Sequence, residues 1–477
     1  MRVVPASIRE RAFVGTLLYV GSVVSIISAL GAPLIPSIAE RFDAGLGSAQ
    51  WSLTATLLAG AVASPIVGRL GDGRHRRTVL LAVLAAVLLG CAMAALAGSL
   101  TVLVIGRALQ GIGLALIPLT MAEARDALPP ARSVGVIAML SVIAAVGVGI
   151  GYPVTGLVAE RADVAAAFWL GAAIMGVALL LAALVLSPAR ADVPRRPLDV
   201  VGAALIAGGL IGLLVALEKG PDWGWGSAST LGLLGVAAVL LAAWTRYELR
   251  VDAPLVDLRL TRHRAVLTAN AAGFALGLAM YLAIALLTLF VQLPTNEGGM
   301  GASVLAASLM LVPLSICSFA ASRLLPLAHR HLGARQIVPC GALAVGAGAL
   351  LFALTADALW QAFAALGIVG LGLGFSFAAL PGMIVAAVPR DETGSATGFY
   401  QVARYVGFSI GSGLSVTLVR ALENAGASTP TAFRATLAVG AALCALTALT
   451  AWVLHGEELR GRDSNPDNLL QRQASCR

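Results

Sequence analysis

The chain has 477 residues, 59% hydrophobic and 12% charged, with a mean hydropathy of +0.91. That composition excludes a water-soluble globular protein of this length, and no stretch is polar enough for a sizeable appended catalytic domain. The formal net charge of +8 does not mark nucleic-acid binding, because the basic residues are spread through the segments between apolar runs.

Fourteen apolar runs near 20 residues long read as membrane-spanning helices. An open sheet cannot satisfy its backbone in lipid, so the predicted fold is all-α and polytopic. In chain order the runs cover 13–38, 51–70, 78–97, 101–124, 133–159, 164–186, 200–217, 230–247, 265–293, 303–321, 337–354, 358–388, 395–422 and 431–454. The first is too long for the apolar core of a cleavable signal.

Orientation follows from the basic residues. With the N-terminus in the cytoplasm, the inner segments carry 25 of the 32 basic residues. The outer segments carry only Arg41, Arg161, Lys219 and Arg420. This predicts a multi-pass inner-membrane protein with both termini cytoplasmic. Two charged linkers, 187–199 and 246–264, divide the runs into six, two and six. The predicted units are a first bundle at 1–187, a two-helix insertion with its flanking linkers at 188–264, a second bundle at 265–455 and a tail at 456–477. In the outer segment after the seventh run, Trp223 and Trp225 read as interfacial anchors.

The most charged turn lies between the second and third runs. Gly68-Arg69-Leu70-Gly71-Asp72-Gly73-Arg74-His75-Arg76-Arg77 holds one acid among five basic residues, His75 included. The segment after the tenth run, from Ser322 to Arg335, occupies the matching place in the second six and reads as a basic loop without an acid. Such internal repeats suit a transporter whose halves rock around a central site.

Gly68-x-Leu70-x-Asp72 followed by Arg76-Arg77 resembles the loop signature of the major facilitator superfamily. His75 departs from it, since the family usually has Gly there. The resemblance implies that Asp72 caps a helix of the opposite half, here at Thr393-Gly394-Ser395, and holds one conformation shut. A carboxylate at a helix N-terminus contributes about 0.3–1 kcal/mol when exposed and about 2 kcal/mol when partly buried. The implied gate comprises Gly68, Asp72, Arg76, Arg77, Glu123 and Asp126.

Further matches extend the resemblance over nearly the whole chain. Arg107-x-x-Gln110-Gly111 in the fourth run resembles a signature whose arginine is linked to proton coupling. Without a partner or water, an arginine inside an apolar run is costly, and the alternative is snorkelling to the outer face. Gly147, Gly149, Gly151, Pro153 and Gly156 in the fifth run resemble an antiporter signature, with Tyr152 interrupting the usual Gly-Pro pair. Close helix packing is the plain reading of those glycines. The fourteen runs, with Glu392 to Gly398 and Arg404, resemble the drug:proton antiporter branch. That branch usually has an Asp in its first helix, whereas residues 25–36 here contain no acid. Glu123 is then either the proton-coupling carboxylate, beside Arg107, or a member of the gate paired with Arg74, Arg76 or Arg77. Tyr19, Gln110, Asn270, Tyr281, Gln292, Tyr400 and Arg404 are the polar cavity candidates.

The sequence therefore predicts an alternating-access exporter of amphiphilic small molecules in exchange for protons. It is read as a monomer in the bilayer, without enzyme activity, cofactor, metal or nucleic-acid partner. The five cysteines show no metal-ligand spacing. The rival readings are a dedicated exporter of one metabolite or lipid and a non-transporting sensor or scaffold.

Overall fold

A computed structural model describes residues 8–30, 34–72, 75–161, 163–186, 198–332 and 334–463. Among these residues all regular structure is helical. The first part comprises α1 (Ile8–Ala29), α2 (Ile35–Arg41), α3 (Leu46–Gly71), α4 (Arg76–Ala95), α5 (Leu100–Ile112), α6 (Leu116–Ala127), α7 (Pro130–Arg161) and α8 (Val164–Val185). Next come α9 (Val200–Trp223) and α10 (Ala228–Glu248). The remainder is α11 (Arg264–Gln292), α12 (Val304–Leu309), α13 (Leu311–Leu332), α14 (Ala334–Thr355), α15 (Leu359–Ala387), α16 (Thr393–Asn424) and α17 (Thr429–Asp463). Thirteen spans among the described residues are long and apolar enough to cross a membrane. Not every side chain of α7 is described, and only its stretch Arg132–Ile143 is counted, as a shorter apolar helix.

Most helices have apolar residues all round, as lipid on one side and packed helices on the other require. Within the first part α1 packs on α7, α4 on α5 and α8, and α3 on α5. In the last part α11 packs on α16, α14 on α15 and α17, and α13 on α15. Two seams join these parts. At one, α16 lies on α3 and α6; at the other, α7 lies on α13 and α15. The fourth run is not one continuous α-helix, because a 3₁₀ turn, Gly113–Ala115, separates α5 from α6.

Three sequence readings change here. Residues 322–332 form no loop, since α13 runs on to Leu332 through Pro326. The leucine-rich stretch Leu324-Leu325-Pro326-Leu327 has no glycine to stop the helix. Helix α9 likewise continues past residue 217 to Trp223, so Glu218 and Lys219 belong to the helix. Trp225 is a clamp rather than a free interfacial anchor, because its Nε1 donates to Thr417 Oγ1 of α16 at 2.9 Å.

Candidate functional site

The first seam closes on a carboxylate. Gly68 and Gly394 face each other where α3 meets α16. A Cβ on Gly68 would sit 2.5 Å from the Gly394 carbonyl oxygen, so no side chain fits there. This approach brings Asp72, just past the end of α3, to the first turn of α16. Its two oxygens accept the backbone N–H groups of Gly394 at 2.6 Å and Ser395 at 2.7 Å. Helix α16 gains no side-chain cap from Glu392, the residue preceding it. The cap comes from the other part of the molecule and also meets the positive end of the helix dipole. Asp72 is 2% exposed. Burial pushes its carboxyl up to about 7, against the two N–H donors and Arg76, which pull it down.

Charged neighbours brace this contact. Arg69 Nη1 donates to both oxygens of Glu392 at 3.0 Å. Arg125 of α6 donates to the carbonyls of Val388 and Pro389 at 3.0 and 3.1 Å, and to Thr393 Oγ1. Arg76 holds the turn itself, donating to the Gly71 carbonyl at 2.7 Å, to Asp126 at 2.7 Å and to Glu123 at 3.5 Å.

A second feature lies toward the other end of α3. Gln50 precedes Asp72 by 22 residues, about 33 Å along a helix. Here α3, α9, α11 and α16 enclose a cavity of about 90 Å³. Leu53, Leu57 and Leu214 form part of its apolar wall, and Tyr281, Tyr405 and Phe408 line its aromatic side. Tyr281 stacks on Phe408 with centroids 4.5 Å apart. Gln50, Thr54 and Glu218 supply polar groups.

The family model of the Major Facilitator Superfamily matches residues 17–412 and 324–473. The chain belongs to this superfamily. It is a multi-pass membrane transporter, not an enzyme. It is 29% identical over 391 residues to the tetracenomycin C resistance and export protein of Streptomyces glaucescens, covering 79% of this chain and 70% of that one. It is 29% identical over 401 residues to a probable actinorhodin transporter of Streptomyces coelicolor, covering 80% and 68% respectively. The multidrug transporter protein MdtP of Bacillus subtilis is 26% identical over 423 residues, covering 86% and 75%. The fold resembles the crystal structure of the human organic anion transporter MFSD10 (TETRAN), with a TM-score of 0.65 at 15% identity. That likeness covers 94% of this chain and all of the human one.

In this transporter the residues singled out from sequence fall in several places. Gly68, Asp72, Arg76, Glu123 and Asp126 meet at the first seam. Arg77 turns aside, donating to the Ala183 carbonyl of α8 at 2.7 Å. His75 precedes α4, exposed and without a side-chain cap bond. Arg107 does not snorkel: it is fully buried and donates to the carbonyls of Ser52 and Ile27 at 3.0 Å each. Its Nη1 also meets Gln110 Oε1 at 2.6 Å, so it binds α5 to α1 and α3. A side chain on Gly147 would overlap Ser25, which explains how α7 packs closely on α1. Gly151 is buried nearby in sequence, whereas Pro153 and Gly156 lie outside the described side chains.

The cavity candidates scatter. Only Tyr281 lines the cavity. Tyr19 donates to the Ile174 carbonyl at 3.2 Å, linking α1 to α8. Asn270 sits near the first seam, beside Glu392 and Ser395. Gln292 is exposed at the end of α11, and its amide bonds back to the Thr288 carbonyl. Arg404 is buried, donates to Gln401 Oε1 at 2.9 Å and lies 4.0 Å from the Phe377 ring centroid, with Tyr400 also beside it. Sequence reasoning missed the Arg69–Glu392 pair, the Arg125 brace and Glu218. Helix α10 packs chiefly on α9, but α9 packs on both α3 and α16 and helps to wall the cavity.

Proposed function

We propose that this transporter is an alternating-access exporter of amphiphilic small molecules, exchanging them for protons. The observation that carries this reading is the pairing of a closed seam at Asp72 with a cavity whose α3 lining begins at Leu58, about 21 Å back along the same helix. A rocking machine sealed at one end and hollow toward the other has that form. Export is favoured over uptake by the close α1–α7 packing at Gly147 and by relatives named for resistance and export. Fourteen spans, a two-helix insertion at 188–264 between bundles 1–187 and 265–455, and cytoplasmic termini complete the reading. The charge bias of the loops supports an Asp72 seam that faces the cytoplasm. Arg107 is the proposed coupling residue. It draws α1, α3 and α5 together beside the stretch of α1 that lacks an acid. Glu123 belongs to the gate, because Arg76 holds it together with Asp126.

Asp72→Asn is the direct test. It keeps the size of the side chain but removes its charge and one acceptor. Proton-driven export in vesicles should fall about tenfold or more, because the amide offers one acceptor to the two N–H groups and buries a donor of its own beside them. Membrane insertion should be unchanged. Export at the wild-type rate would refute the gate.

A further inference from the structure

Helix α9 brings a carboxylate to the cavity. Glu218 Oε1 accepts from Gln50 Nε2 at 2.9 Å and from Thr54 Oγ1 at 3.1 Å. Both donors stand one turn apart on α3, so they fix the carboxylate's orientation. Both are neutral and leave its charge uncompensated. Its Oε2 accepts no bond from the described residues. The neighbouring ammonium of Lys219 is directed elsewhere, 5.7 Å from the Trp51 ring centroid. Among the described residues Glu218 is the only carboxylate lining the cavity, and no lysine or arginine lines it.

Part of the wall shares this electrostatic preference, although the buried Arg404 guanidinium already stands 5.6 Å from the Phe408 ring centroid. Tyr281 stacks on Phe408, and Tyr405 meets Phe408 at 5.8 Å. Aromatic faces carry negative quadrupole density and attract cations. A free carboxylate beside such faces, with leucines around them, suits a positive nitrogen or phosphorus centre attached to an apolar body. An anionic cargo would meet an unpaired like charge there.

We infer that Glu218, supplied by the two-helix insertion, is the group that holds the cationic end of a cargo molecule in this cavity. The inference rests on the cavity's being part of the cargo route. It gives α9 a role in selectivity, because the residue that distinguishes charge comes from outside both six-helix bundles.

The test measures binding in detergent, where no gradient operates and no transport is needed. Tetraphenylphosphonium and tetraphenylborate have the same shape and opposite charge. The wild-type protein should bind the cation and exclude the anion. Glu218→Gln keeps acceptors for Gln50 and Thr54 but removes the charge, so cation affinity should fall roughly tenfold or more. Glu218→Asp should fall between the two. Thermal melting of each variant reports whether it is folded, and the Gln variant should melt as the wild type does. A fall of less than threefold for the Gln variant, a wild-type preference for the borate, or no cation binding by the wild type would each overturn the assignment. These results do not depend on the latch. Normal export by Asp72→Asn would refute the gate and leave the binding result standing.

Discussion

The transporter's two seams meet their opposite halves in different ways. At the first, α3 stops at Gly71 and Asp72 reaches across to cap α16. At the second, α13 continues to Leu332 with no acid in the matching stretch. Among the described residues its arginine, Arg323, meets the Met139 sulfur of α7 at 3.8 Å. A thioether is a weak acceptor, so that contact is packing with little directional bonding. The buried polar contact across this seam is neutral, Ser141 Oγ of α7 donating to the Phe377 carbonyl of α15. On the proposed gate, the charged latch then belongs to one seam, while the other is held by packing and a neutral hydrogen bond. With a charged cap at both seams, each conformational change would have to break two buried ionic contacts. With one, a ligand or proton needs to shift the balance by only a few kcal/mol.

The strongest way to break this contrast is Arg69→Ala. Arg69 is buried, and its guanidinium is held by both oxygens of Glu392. Removing one partner of a buried ion pair costs about 3–5 kcal/mol, and the half-shielded Glu392 puts this pair near the lower end. Distance measurements between spin labels on α3 and α16 should show the closed population largely lost. A population within twofold of wild type would mean that Asp72 alone holds the seam.

Acidity provides a sharper comparison. The Asp72 carboxyl sits at about 7 in the closed seam, against 3.8 when freely hydrated. The closed form therefore takes up a proton that the open form does not bind at neutral pH. Its stability relative to the open form is greatest below about pH 4 and declines as pH rises toward 7. Between pH 6 and pH 8 the closed-to-open ratio should drop about tenfold. The same spin labels report it, and Asp72→Asn should remove the dependence. The α7–α13 seam has no matching acid, so labels there should show no such titration. An opposite slope at the first seam would reject proton uptake on closing.

How much of this could be read from the chain depended on how far apart the partners lie. The Asp72 turn is compact, and its motif points to the start of α16 directly. Arg76 with Glu123 and Asp126 was legible as a charge-balance problem within one bundle. The Arg69–Glu392 pair joins residues 323 positions apart, and no local pattern couples them. Glu218 looked like a helix end because the apolar run stops at Leu217. It lies inside α9, which runs on to Trp223, and Gln50 and Thr54 of α3 bond its side chain. Gln292 was expected in the cavity for its polarity, yet its place at the end of α11 exposes it. Polarity alone does not tell a helix's inward face from its end. Arg107 had two sequence readings, and three acceptors on α1, α3 and α5 select the buried one.

The smallest expected effect is the most demanding test of asymmetry. Arg323 is exposed, and its recorded contact is a sulfur. Exposed charges of this kind contribute about 0–1 kcal/mol. Arg323→Ala should therefore change export by less than about fivefold at saturating substrate, within the range of many surface substitutions. Its value lies beside Arg69→Ala, because the two arginines occupy adjoining places in the repeated halves. If Arg323→Ala impaired export as severely as Arg69→Ala, the second seam would have to carry a lock of its own in another conformation, and the single-latch account would fail. If only Arg69→Ala impairs it, the lack of an acid in the second half is what leaves that seam without a charged latch.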